Sequence, residues 1–279
     1  MQGNSENVDR ATVRDFGREW QRFDQTGTSP EELLRMFGEY FAIFPWDSLP
    51  RDAVGFDAGC GSGRWAMFVA SRVGHLHCID ASAAALNVAR SNLANFRNVS
   101  FHEAPVGAMP LPDDSMDFGY SLGVLHHLPD TDAGLAACVK KLKSGAPLLI
   151  YIYYAFDNRP VWFRLLWRIS DVVRRAVSKA PFRLKSAVAE IFAAVVYWPM
   201  ARGARLFEQL GCNVANWPLS AYRSRSYYSM RNDALDRFGT RLEHRMTRAQ
   251  IKSMMENAGL RDVRFSDSVP FWCAVGRKN

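Results

Sequence analysis

The sequence predicts an α/β protein with a doubly wound, mostly parallel sheet, and three observations support this. Short apolar segments alternate with helical segments between residues 53 and 153, which is typical of parallel sheets covered by helices on both faces. The first apolar segment runs into a glycine-rich turn at residues 59–63, and the second ends in an acid, Asp80. Ligands of such sheets bind at the carboxyl ends of the strands, so these residues mark the expected site.

The order of the elements follows from their patterns. Strands are predicted over 53–57, 75–80, 99–103, 116–121 and 148–153. The helices between them are predicted over 64–72, from Ser82 as N-cap to about Asn95, and over 132–143, with Gly145 as the glycine after its end.

The two ends of the chain add further elements. Ser29 and Pro30 predict a helix start, followed by apolar residues at helical spacing up to Phe44. Thr247 and Gln250 form a capping-box pattern for a helix that ends at Gly259, and two strands follow over 261–266 and 270–275.

The predicted organisation has four parts along the chain. These are an N-terminal helical cap over 1–50, a core over 51–154, a helical insertion over 155–232 and a C-terminal part of the core over 233–279.

Composition excludes several function classes. The N-terminus is polar and not typical of a signal peptide. The sequence has no uncharged apolar run long enough to cross a bilayer, so no spanning helix is expected. The five cysteines are scattered without a C-x-x-C pair, which predicts no metal site and no disulfide framework, and fits a reducing cytoplasm. The net charge of +7 is compatible with an acidic substrate, an anionic membrane surface or RNA.

The glycine turn is preceded by an acid, so residues 57–63 follow the pattern D-x-G-x-G-x-G. A carboxylate at Asp57 would repel a pyrophosphate, but it suits a cofactor that carries an ammonium and a sulfonium. Arg64 also stands where the dinucleotide pattern has a small residue. The pattern resembles that of the class I S-adenosylmethionine (SAM) methyltransferases. This resemblance implies SAM as cofactor, S-adenosylhomocysteine as product, and a Rossmann-like sheet of seven strands whose last strand is reversed.

A second motif extends the resemblance. Residues 111–128 look like the segment of small-molecule methyltransferases that ends in G-V-L-H-H-L. Where that family has an acid for the adenine amine, this chain has Pro105, so Glu103 or nearby backbone must serve instead. The cofactor-binding residues implied by the resemblance are Asp57, Gly59, Gly61, Gly63, Asp80, Ala81, Glu103, Ala104, Ser121 and Leu122.

The expected function is transfer of the SAM methyl group to an O, N or C nucleophile of a small metabolite, sugar or natural-product intermediate. A hydroxyl acceptor needs a base, and the candidate catalytic residues are His127, His126 and His244, with Asp236 and Tyr227 or Tyr228 behind them. Strand four lacks the N-P-P-Y-like tetrapeptide used on base amino groups, so nucleic acid is disfavoured as substrate. The alternatives are a lipid or quinone methyltransferase that docks on a membrane, and a SAM-binding protein without turnover.

The insertion has its own alternatives. Apolar residues from Trp162 to Val177 recur at helical spacing opposite several arginines, and a second apolar run spans 187–198. We interpret it as a helical hairpin that forms a lid or a dimer surface, or that contacts a membrane through residues 160–200; RNA contact is a further alternative. The expected protein is a monomer or homodimer, cytoplasmic or peripheral at the membrane.

Overall fold

The computed structural model describes residues 7–279, so the first six residues of the predicted cap lie outside the described residues. The described chain forms two compact units. The first unit comprises residues 7–25, 33–155 and 242–279, and the second comprises residues 26–32 and 156–241. The insertion was predicted to end at residue 232, whereas the second unit continues to Arg241 and also takes up a short N-terminal segment.

A seven-stranded sheet forms the centre of the first unit. Its strands are β1 (Val54–Ala58), β2 (His75–Asp80), β3 (Val99–Glu103), β4 (Phe118–Leu122), β5 (Pro147–Tyr151), β6 (Leu260–Phe265) and β7 (Cys273–Lys278). The order is β3-β2-β1-β4-β5-β7-β6. The first five strands pair in parallel, and β7 is antiparallel to both β5 and β6. The predicted doubly wound sheet with a reversed last strand is therefore confirmed.

Helices of the first unit cover both faces of this sheet. They are α1 (Arg10–Arg22), α2 (Pro30–Tyr40), α3 (Ala66–Ala70), α4 (Ala83–Asn92), α5 (Thr131–Lys141) and α10 (Arg248–Asn257). The predicted caps are confirmed where a polar side chain starts the helix. Ser82 Oγ accepts a hydrogen bond from the Ala85 amide at 3.3 Å, and Thr247 and Gln250 form the reciprocal capping box.

Two apolar layers hold the sheet between the helices. One layer joins α5 and α10 to the sheet through buried side chains such as Leu135, Leu148 and Ile251. The other contains Phe37 and Phe41, with Trp65, Leu86, Phe118 and Tyr120. The α2 apolar residues thus pack against the sheet, as the helical spacing predicted.

Several predicted boundaries differ from the structure, and three of them have a clear local reason. The helix predicted over 64–72 is the five-residue α3, because the glycine turn continues to its start. Helix α5 ends at Lys141, and Gly145 is not its cap but lies in the turn before β5, where its amide donates to the Lys278 carbonyl. Strand β4 begins only at Phe118, since Met116 forms an isolated bridge with Leu142.

The last strand also begins later than the apolar run 270–275 predicted. Phe271 and Trp272 turn before the strand and pack with Tyr154, at ring-centroid distances of 5.7 and 6.2 Å. Pairing with β5 starts only at Cys273. Apolar aromatic residues are equally favourable in a packed turn and in a strand, so their composition could not fix this boundary.

The second unit contains four helices rather than the predicted hairpin. They are α6 (Val161–Val177), α7 (Phe182–Phe192), α8 (Trp198–Gln209) and α9 (Tyr227–Gly239). A π-helical segment, Ala193–Tyr197, joins α7 to α8. Helix α9 packs on α7, where the rings of Phe192 and Phe238 stack at 4.3 Å.

The helix formed by α7, the π segment and α8 has 28 residues, Phe182–Gln209, and is long and apolar enough to cross a membrane by length and composition. The apolar run 187–198 alone is too short to span a bilayer, but the continuous helix extends beyond it at both ends. One such helix is weak evidence, since a core helix of a water-soluble protein can meet the same criterion. In the first unit and the rest of the described chain, no other helix meets it.

Candidate functional site

The turn after β1 has the backbone shape that its glycines predict. Gly59, Gly61 and Gly63 have φ angles of +85°, +54° and +75°, in the left-handed region that side chains disfavour. The amides of Gly59 and Cys60 both donate to the Ile79 carbonyl at the end of β2, at 2.8 and 2.9 Å. The turn is thus fastened to the neighbouring strand, next to Asp80.

Asp80 is held by the same turn. Its Oδ2 accepts a hydrogen bond from the Gly61 amide at 2.9 Å, and its Oδ1 accepts one from the Ser82 amide at 2.8 Å. Burial raises the pKa of Asp80, although these two amides act in the opposite direction. Each carboxylate oxygen has a second lone pair, so a fixed, partly buried Asp80 can still accept from a ligand diol.

Asp57 is the most unusual group at this edge of the sheet. It is 1% exposed, and its Oδ2 is buried without a hydrogen-bond partner among the described residues. Burial raises its pKa to about 8, and the nearby Asp80 charge adds to the effect, while Tyr120 and Arg64 oppose it. The Tyr120 hydroxyl lies near enough to act on this carboxyl, but not in a geometry that completes a hydrogen bond. A cationic ligand group beside Asp57 would satisfy it.

Helix α1 covers the glycine turn. The indole of Trp20 lies against Gly61, such that a Cβ on Gly61 would stand 2.8 Å from Trp20 Cε2. The guanidinium of Arg64 lies over Trp20 and over Trp65, at 5.3 and 4.6 Å from the ring centroids. Trp20 belongs to the predicted N-terminal cap, and this contact places one of the cap's aromatic residues on the turn.

A cavity of about 540 Å³ lies beside the turn, between α1 and the ends of β2 and β3. Ala81, Glu103 and Pro105 line it on the sheet side, and Arg14 and Gly17 line it on the α1 side. Ala104 adjoins this cavity, but its amide is already used, since it donates to the Asp80 carbonyl at 3.0 Å. Of the candidates for the adenine, Glu103 therefore has the most accessible polar group.

Ser121 and Leu122 end β4, next to β1. Both are buried, and Ser121 Oγ donates to the Ala58 carbonyl at 2.8 Å. The Ser121 side chain therefore links β4 to β1. Only the backbone of Ser121 remains to contact a ligand.

The three candidate histidines come together just beyond β4. His126 and His127 lie in the 3₁₀ turn Leu125–His127, with ring centroids 4.0 Å apart. The His244 amide donates to the His126 carbonyl at 2.9 Å, which brings a residue more than a hundred positions away to the same turn.

Their hydrogen bonds distinguish the two neighbouring rings. His127 Nδ1 lies 2.6 Å from the Leu242 carbonyl, which can only accept. The neutral ring of His127 therefore carries its proton on Nδ1 and presents a basic Nε2. His126 Nδ1 instead accepts from the Tyr153 amide at 3.4 Å, so its Nε2 carries the proton. Burial, followed by the charges of His127 and Arg245, lowers the pKa of His126 well below its ordinary value.

Sequence reasoning missed two members of this cluster. The ring of Tyr153 lies 4.0 Å from that of His126, and Arg245 lies over Tyr153 at 5.0 Å. The run of tyrosines at 151, 153 and 154 was the available signal. The apolar pattern predicts a strand up to residue 153, whereas β5 ends at Tyr151 and Tyr153 lies beyond it, beside the histidines. The further candidates Asp236, Tyr227 and Tyr228 lie on α9 of the second unit, where Asp236 accepts from the Thr240 hydroxyl at 3.2 Å.

The residues present fit a SAM-like cofactor. The turn requires glycines at a point where Cβ atoms would fill space, Oδ2 of the buried Asp57 lacks a hydrogen-bond partner among the described residues, and Asp80 is fixed as an acceptor. No group of His, Cys, Asp and Glu within residues 7–279 is arranged to hold a metal ion.

Comparisons with known proteins agree with this geometry. Residues 56–145 match the family model described as a methyltransferase domain. A phosphoethanolamine N-methyltransferase 2 of Caenorhabditis elegans is 32% identical over 100 residues, covering 35% of this chain and 23% of the relative. The chain spans about a quarter of the length of the curated relatives it matches.

Two solved structures share the fold. One is the putative methyltransferase in complex with the Trm112 activator of Haloferax volcanii, with a TM-score of 0.52, 15% identity, and 95% of this chain and 96% of the other covered. The other is phosphoethanolamine N-methyltransferase 2 of Haemonchus contortus, solved with phosphomonomethylethanolamine and S-adenosylhomocysteine. Its TM-score is 0.51, with 16% identity, and 95% of this chain and 46% of the other covered.

Proposed function

Because the core of this chain is a class I SAM-dependent methyltransferase domain, we propose that the protein transfers the SAM methyl group to an O, N or C nucleophile of a small acceptor. The observation that carries the proposal is the pairing of two features on one edge of the sheet. The turn with Asp57 and Asp80 would hold the cofactor, and the histidine cluster lies directly after β4, the neighbour of β1.

We assign cofactor binding to the two acids and proton transfer to the histidine cluster. Asp80 would accept from the ribose hydroxyls, and Asp57 would face the positive charges of the cofactor. SAM supplies an activated methyl group, so the protein's main contribution is orientation and exclusion of water. His127 Nε2 would take a proton from a hydroxyl or ammonium acceptor. His126, held neutral by its lowered pKa, would donate a hydrogen bond from Nε2.

The acceptor is proposed to be a small metabolite, sugar or natural-product intermediate. An acceptor panel also includes phosphoethanolamine, because a curated relative of the domain carries that name. A lipid or quinone acceptor is the second candidate, favoured by the exposed apolar surface of the second unit. We further propose that the protein acts in the cytoplasm or peripherally at a membrane, since none of its five cysteines is paired.

The test measures formation of S-adenosylhomocysteine with this panel, for wild type and for His127→Ala. We expect the variant to keep its SAM affinity, measured by calorimetry, and to lose about 10²- to 10⁴-fold in kcat, the usual contribution of a general base. His75→Ala is the matched control. His75 lies at the start of β2, at the end of the strand away from Asp80, and its ring hydrogen-bonds to Ser100 at 2.9 Å. Tight SAM binding with no product from any acceptor would instead support a SAM-binding protein without turnover.

A further inference from the structure

Helix α6 turns its apolar side outward. Seven large apolar side chains of this helix are between 39% and 72% exposed, and we call them the α6 apolar face: Val161, Trp162, Leu165, Leu166, Ile169, Val172 and Val173. Their spacing of three, four and seven residues places them on one side of the helix. A contiguous exposed apolar surface of this kind marks an interaction site rather than ordinary surface variation.

The opposite side of α6 carries a buried ion pair, which fixes this orientation, and Phe163 and Trp167 on the same side pack with Phe156. Asp171 and Arg174 are each 6% exposed, and Arg174 Nε donates to Asp171 Oδ1 at 2.6 Å. Arg174 also donates to the Thr240 carbonyl at 3.0 Å, and Arg237 lies 3.7 Å from Asp171. Burial alone would raise the pKa of Asp171, but these arginines outweigh it and lower that pKa. Turning the apolar face inward would break this buried ion cluster, so the outward face is built into the unit.

One edge of the α6 apolar face is cationic. Arg164, Arg168 and Arg175 are exposed along it, and Lys179 and Arg183 continue the positive charge beyond the helix end. The only acid between residues 161 and 183 is the buried Asp171. Exposed apolar residues beside arginines, without exposed acids, are the pattern of helices that lie in the interface of an anionic membrane.

The long helix next to α6 in this unit has a similar outward stripe. Its outward apolar residues are 41% to 67% exposed: Leu184, Ile191, Val195 and Trp198. The charged residues between Arg183 and Arg205 are all buried or half-buried. Its other side is engaged within the unit, where Arg231 donates twice to Glu190 at 2.7 Å. A helix held by ion pairs and ring stacking on one side is suited to lie on a membrane rather than to cross it.

We propose that the α6 apolar face docks on the surface of an anionic lipid bilayer. The aliphatic side chains and Trp162 enter the boundary of the acyl chains, and the arginines meet lipid phosphates. A second copy of the chain fits less well, because a two-fold contact of this face would bring the same arginines of both copies together. The proposal specifies the surface behind the peripheral membrane location proposed above. It is independent of methyl transfer, since docking depends on neither the cofactor turn nor the histidines.

The test is co-sedimentation of the full chain with vesicles of phosphatidylcholine alone and of phosphatidylcholine mixed with phosphatidylglycerol. Wild type is expected to bind the mixed vesicles, and added salt is expected to weaken this binding. Leu165→Gln/Ile169→Gln should reduce partitioning by about tenfold per side chain. Arg164→Gln/Arg168→Gln should reduce it about fivefold per charge, on the anionic vesicles only.

Leu34→Gln is the matched control, because Leu34 is 53% exposed and Leu165 is 57% exposed, but Leu34 lies on α2. This control should bind vesicles as wild type does, and all variants should keep wild-type thermal unfolding and SAM affinity. Brominated acyl chains should quench the fluorescence of wild type more than that of Trp162→Phe.

Two results would overturn the proposal. One is wild type that stays in the supernatant with anionic vesicles, or variants that bind them unchanged. The other is a wild-type dimer in light scattering that Leu165→Gln/Ile169→Gln converts to monomer without vesicle binding, which would make the face a contact between copies. The experiment measures vesicle binding and not methyl transfer. A failure of the docking proposal can therefore be told apart from a failure of the proposed methyltransferase function.

Discussion

Replacing Asp57 by asparagine is expected to stabilise the free protein and to weaken its cofactor binding. The folded chain keeps this carboxyl 1% exposed, and burial raises its pKa from 3.8 to about 8. Each pKa unit corresponds to about 1.4 kcal/mol, so ionisation of Asp57 costs the folded protein on the order of 5 kcal/mol. Asparagine has nearly the same shape and no charge, so it removes that cost.

The raised pKa of Asp57 determines how the free energy of unfolding changes with pH. The pKa of Asp57 is higher in the folded protein than in the unfolded chain, so its neutral form gives full stability below pH 3.8. That stability is lost as the pH rises through about 8. The free energy of unfolding in urea should therefore fall with pH in wild type relative to Asp57→Asn, and the variant should be the more stable protein above pH 8.

The free protein favours the neutral form of Asp57, whereas bound SAM favours the ionised form, because the cofactor carries cationic groups. Below its pKa, the ionised fraction of Asp57 grows about tenfold per pH unit, and SAM affinity of wild type should rise accordingly. Calorimetry in two buffers with different ionisation enthalpies should show a proton released on binding by wild type and not by Asp57→Asn. Titration of the SAM amine is common to both proteins and cancels in the comparison. Equal pH dependence of stability and of binding in the two proteins would refute this reasoning.

Three further perturbations test the rest of the site and the insertion. Asp80→Ala should lower SAM affinity by about 1.5–3 kcal/mol, the value of hydrogen bonds to a charged group, and calorimetry that shows unchanged affinity would contradict the ribose assignment. Gly61→Ala should lower both thermal stability and SAM affinity, because its Cβ would stand 2.8 Å from the Trp20 indole. Gly145→Ala, at φ +78° with open space around it, carries only the strain of the left-handed backbone, about 1 kcal/mol, and serves as control. Replacing residues 156–241 by a Gly/Ser linker should spare SAM binding and remove methyl transfer if the insertion selects the acceptor. Full turnover by that shortened protein would exclude such a role.

The sequence predicted those parts of the fold that local patterns determine. Strand β2 matches its predicted bounds, and the glycine turn has the backbone angles that its residues require, because both depend on neighbours along the chain. The candidate residues Asp57 and Asp80 were recognised for the same reason, because each ends a short apolar run. Local patterns could not predict contacts between segments that are distant in the sequence. Examples are the packing of the Trp20 indole against Gly61 and the hydrogen bond between His127 and the Leu242 carbonyl.

The insertion shows a different limit. The periodicity of α6 separates an apolar side from a polar side, but it does not say which side faces the protein. Ordinary packing would place Leu165 inward, whereas the structure buries Asp171 and Arg174 instead. Only the partners on α9, Arg237 and the region of Thr240, make that orientation understandable, and these lie far along the chain.

The order of the strands has a consequence for how this protein is made. Strand β7 is synthesised after the other six strands, yet it pairs between β5 and β6 in the interior of the sheet. The second unit likewise waits for distant segments, since Glu32 accepts hydrogen bonds from the Ser226 amide and the Ser229 hydroxyl. Neither unit is a continuous stretch of chain. The second can be completed once residue 241 is made, but the sheet of the first must wait for residues 260–278. Until β7 is made, β5 has an open strand edge, a state in which a ribosome-associated chaperone would be of most use.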